Sequence, residues 1–164
     1  MTGNLYVTDA ETSAYKTSPY KNSMPSNTSD PSTVFHQLIT ALQQVLPSAN
    51  LAKTYVPLLS KPNQPFYLWL IDPDFCHEDL TLAVIENLWK NCPYWVFAWA
   101  SGQVLAQYIL QQPQMVRNKV VMDFGAGSGI VGIAAIMAGA KRVMCCDIDC
   151  MSLTRCQATA QLNG

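Results

Sequence analysis

Positive charge is scarce in this chain of 164 residues. Lysine and arginine together number 10 against 11 acidic residues, which gives a formal net charge of −1 at pH 7. A protein held on nucleic acid through phosphate contacts needs clustered basic side chains, and no basic block occurs anywhere in this sequence. The composition therefore argues against a nucleic-acid-binding protein.

Long apolar runs are also absent, although 49% of the residues are hydrophobic. The longest candidates are broken by Pro73, Pro93 and Gly139, so none reaches the roughly 20 residues that a membrane-spanning helix needs. The N-terminus has no charged segment followed by an apolar one, and residues 1–33 contain acids but no arginine. These features argue against an export signal and a mitochondrial presequence. We expect a soluble, cytoplasmic protein without a membrane partner.

Paired metal-binding cysteine motifs are missing as well, although the chain contains six cysteines. Cys145 and Cys146 are neighbours on a predicted strand and point to opposite faces, so they cannot readily bind one ion together. No CxxC pair or nearby histidine completes a zinc site. Reduced cysteines in a cytoplasmic protein behave as small buried hydrophobes, and we predict no metal site.

Composition divides the chain into three parts. Residues 1–32 are rich in serine, threonine, asparagine and proline and show no sustained apolar period, which predicts a disordered tail. Residues 33–92 form an N-terminal extension. In it, apolar residues at helical spacing predict a helix over 33–46, and FYLWLI at 66–71 predicts a buried strand. Residues 93–164 make up the third part, which contains the motifs that indicate a function.

The segment that begins at Val120 reads as an apolar strand, a glycine loop, a helix and a second strand. Apart from Asp123, the residues of Val120–Phe124 are apolar and partly β-branched, which predicts a strand buried on both faces of a parallel sheet. Glycines alternate through the next turn, where the missing Cβ permits a positive φ and lets a ligand approach the backbone. Because a helix follows, the loop brings this ligand to a helix N-terminus. The pattern predicts a Rossmann-like α/β unit with a nucleotide-type cofactor site.

Two carboxylates lie at the strand ends of this unit. Asp123 stands near the end of the first strand, where burial is costly unless the charge is hydrogen-bonded. We therefore expect it to meet loop amides or a ligand ammonium. Asp147 ends the second strand, a position from which a carboxylate can accept both hydroxyls of a ribose.

The glycines fit two cofactor classes. Gly127, Gly129 and Gly132 satisfy the dinucleotide pattern G-x-G-x-x-G, which keeps an NAD-dependent oxidoreductase open as an interpretation. That register leaves Asp123 unexplained in a strand that dehydrogenases keep apolar. The sequence DFGAGSG, from Asp123 to Gly129, resembles the D-x-G-x-G-x-G first motif of class I S-adenosylmethionine-dependent methyltransferases, and DID from Asp147 resembles their acidic second motif.

A second resemblance narrows the class. The sequence WASG at residues 99–102 lies at the start of the predicted helix before the glycine loop, where the seven-β-strand protein lysine methyltransferases have a W-P-x-G turn. With the two motifs, it makes residues 66–164 resemble the family that methylates the electron-transfer flavoprotein β-subunit, and less closely the ribosomal-protein lysine methyltransferases. Ala100 and Cys150 stand where prolines are usual, and neither departure removes a chemical group.

The resemblance implies an enzyme that transfers a methyl group from S-adenosylmethionine, with a protein lysine as the acceptor. It also implies that the loop and Asp123 hold the methionine part of the cofactor, that Asp147 holds the ribose, and that an aromatic turn borders the pocket. The implied cofactor-binding residues are Trp99, Gly102, Asp123, Gly125, Ala126, Gly127, Gly129, Asp147 and Ile148. No catalytic residue is assigned, because the acceptor-side groups of the family lie after its fourth strand.

The resemblance further implies an incomplete doubly wound parallel sheet. Such a sheet usually has five to seven strands, whereas this sequence supplies two of them and a further strand at 66–71. We expect the N-terminal part of a Rossmann-like methyltransferase domain. Alone it would be inactive and fold poorly, because Val120–Phe124 would have a free edge. A non-catalytic cofactor-binding or assembly fragment is the second interpretation, and an NAD-dependent oxidoreductase is the third.

Overall fold

The computed structural model describes residues 4–9, 12–17, 30–59, 65–76 and 80–163. The helices in these ranges are Pro31–Val45 (α1), Leu82–Lys90 (α2), Ala100–Gln111 (α3), Ile130–Met137 (α4) and Cys150–Asn163 (α5). The strands are Asn4–Asp9 (β1), Thr12–Thr17 (β2), Leu51–Tyr55 (β3), Tyr67–Ile71 (β4), Val120–Phe124 (β5) and Arg142–Asp147 (β6). None of the helices in the described ranges has the length and apolar character needed to cross a membrane.

The larger sheet has the strand order β2-β1-β6-β5. Strands β5 and β6 are parallel, with Val121 opposite Val143 and Asp123 opposite Cys145. Helix α4 connects them, as a crossover between parallel strands requires. The predicted Rossmann-like α/β class is confirmed by this β5-α4-β6 unit.

Two antiparallel strands extend this sheet on the other side of β6. Strand β1 pairs with β6, and β2 pairs with β1. The structure therefore differs at residues 4–9 and 12–17 from the disordered tail predicted over residues 1–32. Composition missed these strands because it does not show that an edge of β6 is open for pairing. Helix α1 begins at Pro31, inside the same range. The remainder of that range, apart from Asp30, lies outside the described residues.

Strands β3 and β4 form a separate antiparallel sheet, with Leu51 opposite Ile71. The strand predicted at 66–71 is thus confirmed as Tyr67–Ile71, and it adds no strand to the larger sheet. A short apolar run predicts a buried strand without identifying its partner, and here the partner is the neighbouring strand along the chain.

Helices α4 and α5 cover the same face of the larger sheet. Val143 and Cys145 point to the same face of β6. They are buried in one cluster with Ala135 of α4 and Leu153 of α5. The described residues therefore form a sheet with these helices on one face, which is compatible with the incomplete doubly wound fold that was expected.

The opposite face of β5 is open. Val120 is 58% exposed, Met122 is 55% exposed and Phe124 is 83% exposed. The prediction that this strand is buried on both faces is wrong, because α4 packs on the side of Asp123 and no described element covers the other side.

The N-terminal extension packs against α5. Val34 and Leu38 of α1 share a buried cluster with Ala158 of α5. Phe35 of α1 contacts Trp69 of β4, with ring centroids 4.5 Å apart. A layer formed by α1 and β4 therefore lies behind α5, on the side away from the larger sheet.

Candidate cofactor site

The turn between β5 and α4 is built from glycines in the left-handed region. Gly125, Gly127 and Gly129 have φ values of 75°, 47° and 71°. Residues with a Cβ rarely adopt this conformation. Gly129 immediately precedes α4, and its N–H donates to the Ala126 carbonyl over 2.6 Å. The alternating glycines thus produce a tight turn that leads directly into the helix.

The glycines of this turn face different surroundings. A Cβ built on Gly125 would meet no atom within 4 Å, whereas one built on Gly129 would lie 2.7 Å from Sγ of Cys156. Gly125 therefore faces open space that a ligand can enter, and Gly129 faces the packed interior. The first turn of α4, which points its free N–H groups toward the loop, follows immediately.

Asp147 lies across from this turn at the end of β6. Its Oδ2 accepts a hydrogen bond from the Gly127 N–H over 2.8 Å, and its Oδ1 accepts one from the Asp149 N–H over 2.9 Å. A carboxylate has about four lone-pair sites, so two acceptor positions remain. These remaining positions suit the two hydroxyls of a ribose.

Asp123 is 8% exposed, and its Oδ2 accepts a hydrogen bond from the Gly132 N–H over 2.8 Å. The side chain therefore binds an amide in the first turn of α4, where a negative charge is favourable. Burial raises the pKa of Asp123, the hydrogen bond from Gly132 lowers it, and the nearby charge of Asp147 raises it. This carboxylate connects β5 with α4 beneath the loop.

Asp149 lies on the same edge of the sheet and immediately precedes α5. Its Oδ1 accepts a hydrogen bond from the Met151 N–H over 2.8 Å, as a helix-capping residue does. Burial raises the pKa of Asp149, the hydrogen bond from Met151 lowers it, and Asp147 raises it. The DID sequence thus contains one carboxylate beside the loop and one that caps a helix.

Gly102 and Trp99 lie at the beginning of α3. A Cβ on Gly102 would lie 3.1 Å from Cγ2 of Ile130, the first residue of α4, so Gly102 lets the starts of the two helices meet. Trp99 is 49% exposed, and its Nε1 donates to the Tyr94 carbonyl over 2.9 Å. Its ring contacts Phe97, with centroids 5.3 Å apart. The aromatic turn therefore precedes the helix that abuts the start of α4.

Ala126 and Ile148, the other two predicted cofactor-binding residues, differ in exposure. Ala126 is 7% exposed, and its N–H donates to the Cys146 carbonyl over 3.1 Å, which anchors the loop to the end of β6. Ile148, the residue after Asp147, is 80% exposed and offers an apolar surface beside the carboxylate.

Sequence reasoning missed the side chains behind the loop. Arg155 of α5 is completely buried and donates a hydrogen bond to the Ser128 carbonyl inside the turn. Cys156 packs against Gly129. An arginine on a helix rich in small and apolar residues was the available signal, and it was overlooked. No group of histidine, cysteine or acidic side chains in the described ranges could hold a metal ion.

The fold and the site together define a Rossmann-type cofactor-binding unit. A three-glycine turn joins two parallel strands, the first strand buries an acid against the following helix, and the second strand ends in a carboxylate beside the turn. Residues 103–164 match the family model described as ribosomal protein L11 methyltransferase (PrmA). This part of the chain is similar to the PrmA-type methyltransferases, the class of protein that the motifs predicted.

Curated relatives agree with this assignment. The chain is 40% identical over 79 residues to the electron transfer flavoprotein beta subunit lysine methyltransferase of Mus musculus, a match that covers 48% of this chain and 31% of the relative. It is 33% identical over 97 residues to the Caenorhabditis elegans homolog, a match that covers 59% of this chain and 35% of the relative. It is 49% identical over 49 residues to the ribosomal protein L11 methyltransferase of Acinetobacter baumannii (strain SDF), a match that covers 30% of this chain and 16% of the relative.

The matched segments thus span about a third of the flavoprotein relatives' length, 31% and 35% in the two cases. No solved structure matches the chain. The cofactor-binding roles of the individual residues remain predictions.

Proposed function

We propose that the protein is an S-adenosylmethionine-dependent methyltransferase. The observation that carries the proposal is the bond between the Gly127 N–H and Asp147, which brings the glycine turn and a ribose-type carboxylate into one site. The matched family and the relatives, all named as methyltransferases, support the same activity.

The described residues fit this cofactor. The open side of Gly125 leaves room for a ligand against the backbone, and Asp147 keeps two acceptor positions beside it. In the proposed roles, the turn and Asp123 hold the methionine part, Asp147 and Ile148 hold the nucleoside, and Trp99 with Gly102 borders the pocket. Bound S-adenosylmethionine supplies an electrophilic methyl group, and the protein contributes orientation and exclusion of water.

A lysine side chain of another protein is the proposed acceptor. The relatives are named for protein substrates, the flavoprotein β-subunit and ribosomal protein L11. A lysine ammonium has no free electron pair, so it must lose a proton before it attacks the methyl group. We assign this proton transfer to none of the described residues.

Incubation of the protein with radiolabelled S-adenosylmethionine and a cytosolic protein extract tests the proposal. Label is expected in protein and, after hydrolysis, in methylated lysine. Asp147→Ala should strongly reduce the incorporation, whereas Asp74→Ala, which changes an exposed carboxylate in the segment after β4, should not. Label only in RNA or in small molecules would contradict a protein acceptor. A cytoplasmic location remains part of the proposal, and fluorescence imaging of a tagged protein tests it.

Two other functions are distinguishable. A non-catalytic binding or assembly role is favoured by the open apolar face at Phe124, and it predicts binding of S-adenosylhomocysteine without methyl transfer. An NAD-dependent oxidoreductase is favoured by Gly132, whose close approach to Asp123 and Val143 matches the third glycine of the dinucleotide pattern. It predicts binding of NADH instead.

A further inference from the structure

Arg155, on the second turn of α5, is completely buried behind the glycine turn. Its Nε donates to the Trp69 carbonyl of β4 over 2.7 Å, and its Nη1 donates to the Ser128 carbonyl within the turn. Both acceptors are neutral backbone groups. Nη2 is buried without a hydrogen-bond partner among the described residues.

A charge in this position is expensive to bury. Burial lowers the pKa of Arg155 to about 10, which still leaves the side chain charged at neutral pH. Two hydrogen bonds to neutral carbonyls offset only part of the cost of burying this charge. The groups that the guanidinium holds therefore indicate its role.

One of the groups that Arg155 holds is the peptide between Ser128 and Gly129. Ser128 lies between Gly127 and Gly129, both at positive φ, and glycine offers little steric resistance to other backbone conformations. The carbonyl of the peptide between Ser128 and Gly129 accepts the hydrogen bond from Arg155, and its N–H donates to the Ala126 carbonyl over 2.6 Å. Both polar groups of this peptide are therefore held.

We infer that Arg155 is a positioning residue, which presets the glycine turn for the cofactor by holding the Ser128 carbonyl toward the interior. The inference rests on the proposed function, because the cofactor is the ligand that this turn would receive. Arg155 acts from behind the turn through the backbone and does not need to touch the cofactor.

The same guanidinium connects the turn to the N-terminal layer. Trp69, whose carbonyl it holds, packs its ring against Phe35 of α1. Two hydrogen bonds from one side chain thus join β4 to the turn between β5 and α4. A change that loosens α1 or β4 is therefore expected to loosen the cofactor turn as well.

Arg155→Met and Arg155→Lys in the intact protein test this inference. Methionine fills similar space without donors, whereas lysine keeps the charge but lacks the rigid fork of separated donors with which the guanidinium holds the two carbonyls. Amide exchange of residues 127–129 is measured by NMR without ligand, and S-adenosylhomocysteine affinity is measured by calorimetry. Arg117→Met, which removes an exposed arginine away from the turn, is the matched control.

In Arg155→Met, the turn amides should exchange faster than in the unaltered protein, while amides of β6 keep their protection. Affinity should fall on the order of tenfold, the equivalent of one charge-assisted hydrogen bond. Arg155→Lys should recover part of both losses, and Arg117→Met should change neither.

Unchanged turn exchange in a folded Arg155→Met protein would overturn the inference, whether or not the protein binds S-adenosylhomocysteine. If Arg155→Met does not fold, unchanged exchange and affinity in Arg155→Lys would overturn it equally. Faster turn exchange, combined with no binding of S-adenosylhomocysteine by the unaltered protein, would refute the proposed function and leave Arg155 as an anchor of the turn alone.

Discussion

The backbone N–H of Gly127 donates to Oδ2 of Asp147 over 2.8 Å. This bond joins the turn after β5 to the end of β6, two points that are far apart along the chain. Because Oδ1 also accepts the Asp149 N–H, the carboxylate is held in one orientation beside the turn. The candidate cofactor site is therefore organised by the protein's own hydrogen bonds.

Asp147→Ala should weaken S-adenosylhomocysteine binding by about 2–4 kcal/mol, the loss expected for two hydrogen bonds to a charged group. Asp147→Asn should lose less, because its amide oxygen still accepts a hydrogen bond. Calorimetric titration of both variants measures the effect, with Asp74→Ala as the control. Unchanged affinity in a folded Asp147→Ala protein would mean that this carboxylate only shapes the turn.

Gly125→Ala and Gly129→Ala should separate the ligand side of the turn from its packed side. Both place a Cβ at positive φ, but only the second meets an atom, Sγ of Cys156 at 2.7 Å. Gly125→Ala should destabilise the protein by about 1 kcal/mol and Gly129→Ala by about 3 kcal/mol. Denaturant unfolding gives these values. Gly125→Ala should nevertheless weaken S-adenosylhomocysteine binding, because its methyl group enters the open space. Equal destabilisation by the two substitutions would be inconsistent with this assignment of sides.

Gly132→Ala tests the close contact between α4 and the sheet. The new Cβ would lie 3.0 Å from Oδ2 of Asp123, 3.1 Å from Sγ of Cys145 and 3.2 Å from Cγ1 of Val143. It would push against two strands and against the carboxylate that binds the Gly132 N–H, so a loss of about 2–3 kcal/mol is expected. Gly102→Ala is the control, because its Cβ comes within 3.4 Å only of Cγ2 of Ile130. Similar melting temperatures for Gly132→Ala and Gly102→Ala would contradict the predicted difference in stability.

Asp123→Asn should change the pH dependence of stability. Burial raises the pKa of Asp123 in the folded protein, so the folded state holds this proton more tightly than the unfolded chain does. Stability is then lost as pH rises from about 4, the pKa of an unfolded aspartate, through the raised value. Asparagine keeps an acceptor for the Gly132 N–H and does not ionise. The free energy of unfolding of Asp123→Asn, relative to the unaltered protein, should therefore increase between pH 4 and pH 7. A constant difference over this range would contradict the prediction.

The sequence alone predicted the centre of the site. Alternating glycines need little context, because positive φ at Gly125 and Gly127 follows from the local turn. The strand before the turn and the acid after the next strand follow from local patterns in the same way. The helix, strand and acid that form the site were therefore predicted at the correct residues.

Features that depend on distant partners could not be predicted in this way. The pairing of β1 with β6 depends on an open sheet edge, and the pairing of β3 with β4 on which apolar strands meet. The exposure of Phe124 depends on what covers the sheet, which its own apolar character does not indicate. The role of Arg155 could not be predicted because its acceptors are two backbone carbonyls. Every residue has such a carbonyl, so the sequence does not indicate which one is bound.

Titration of the intact protein with S-adenosylhomocysteine and, separately, with NADH tests the central claim most directly. The two ligands share an adenosine, so a selective response reports on the rest of the cofactor rather than on the nucleoside. The account predicts saturable binding of S-adenosylhomocysteine that Asp147→Ala weakens, and no binding of NADH. Binding of NADH without binding of S-adenosylhomocysteine would contradict it.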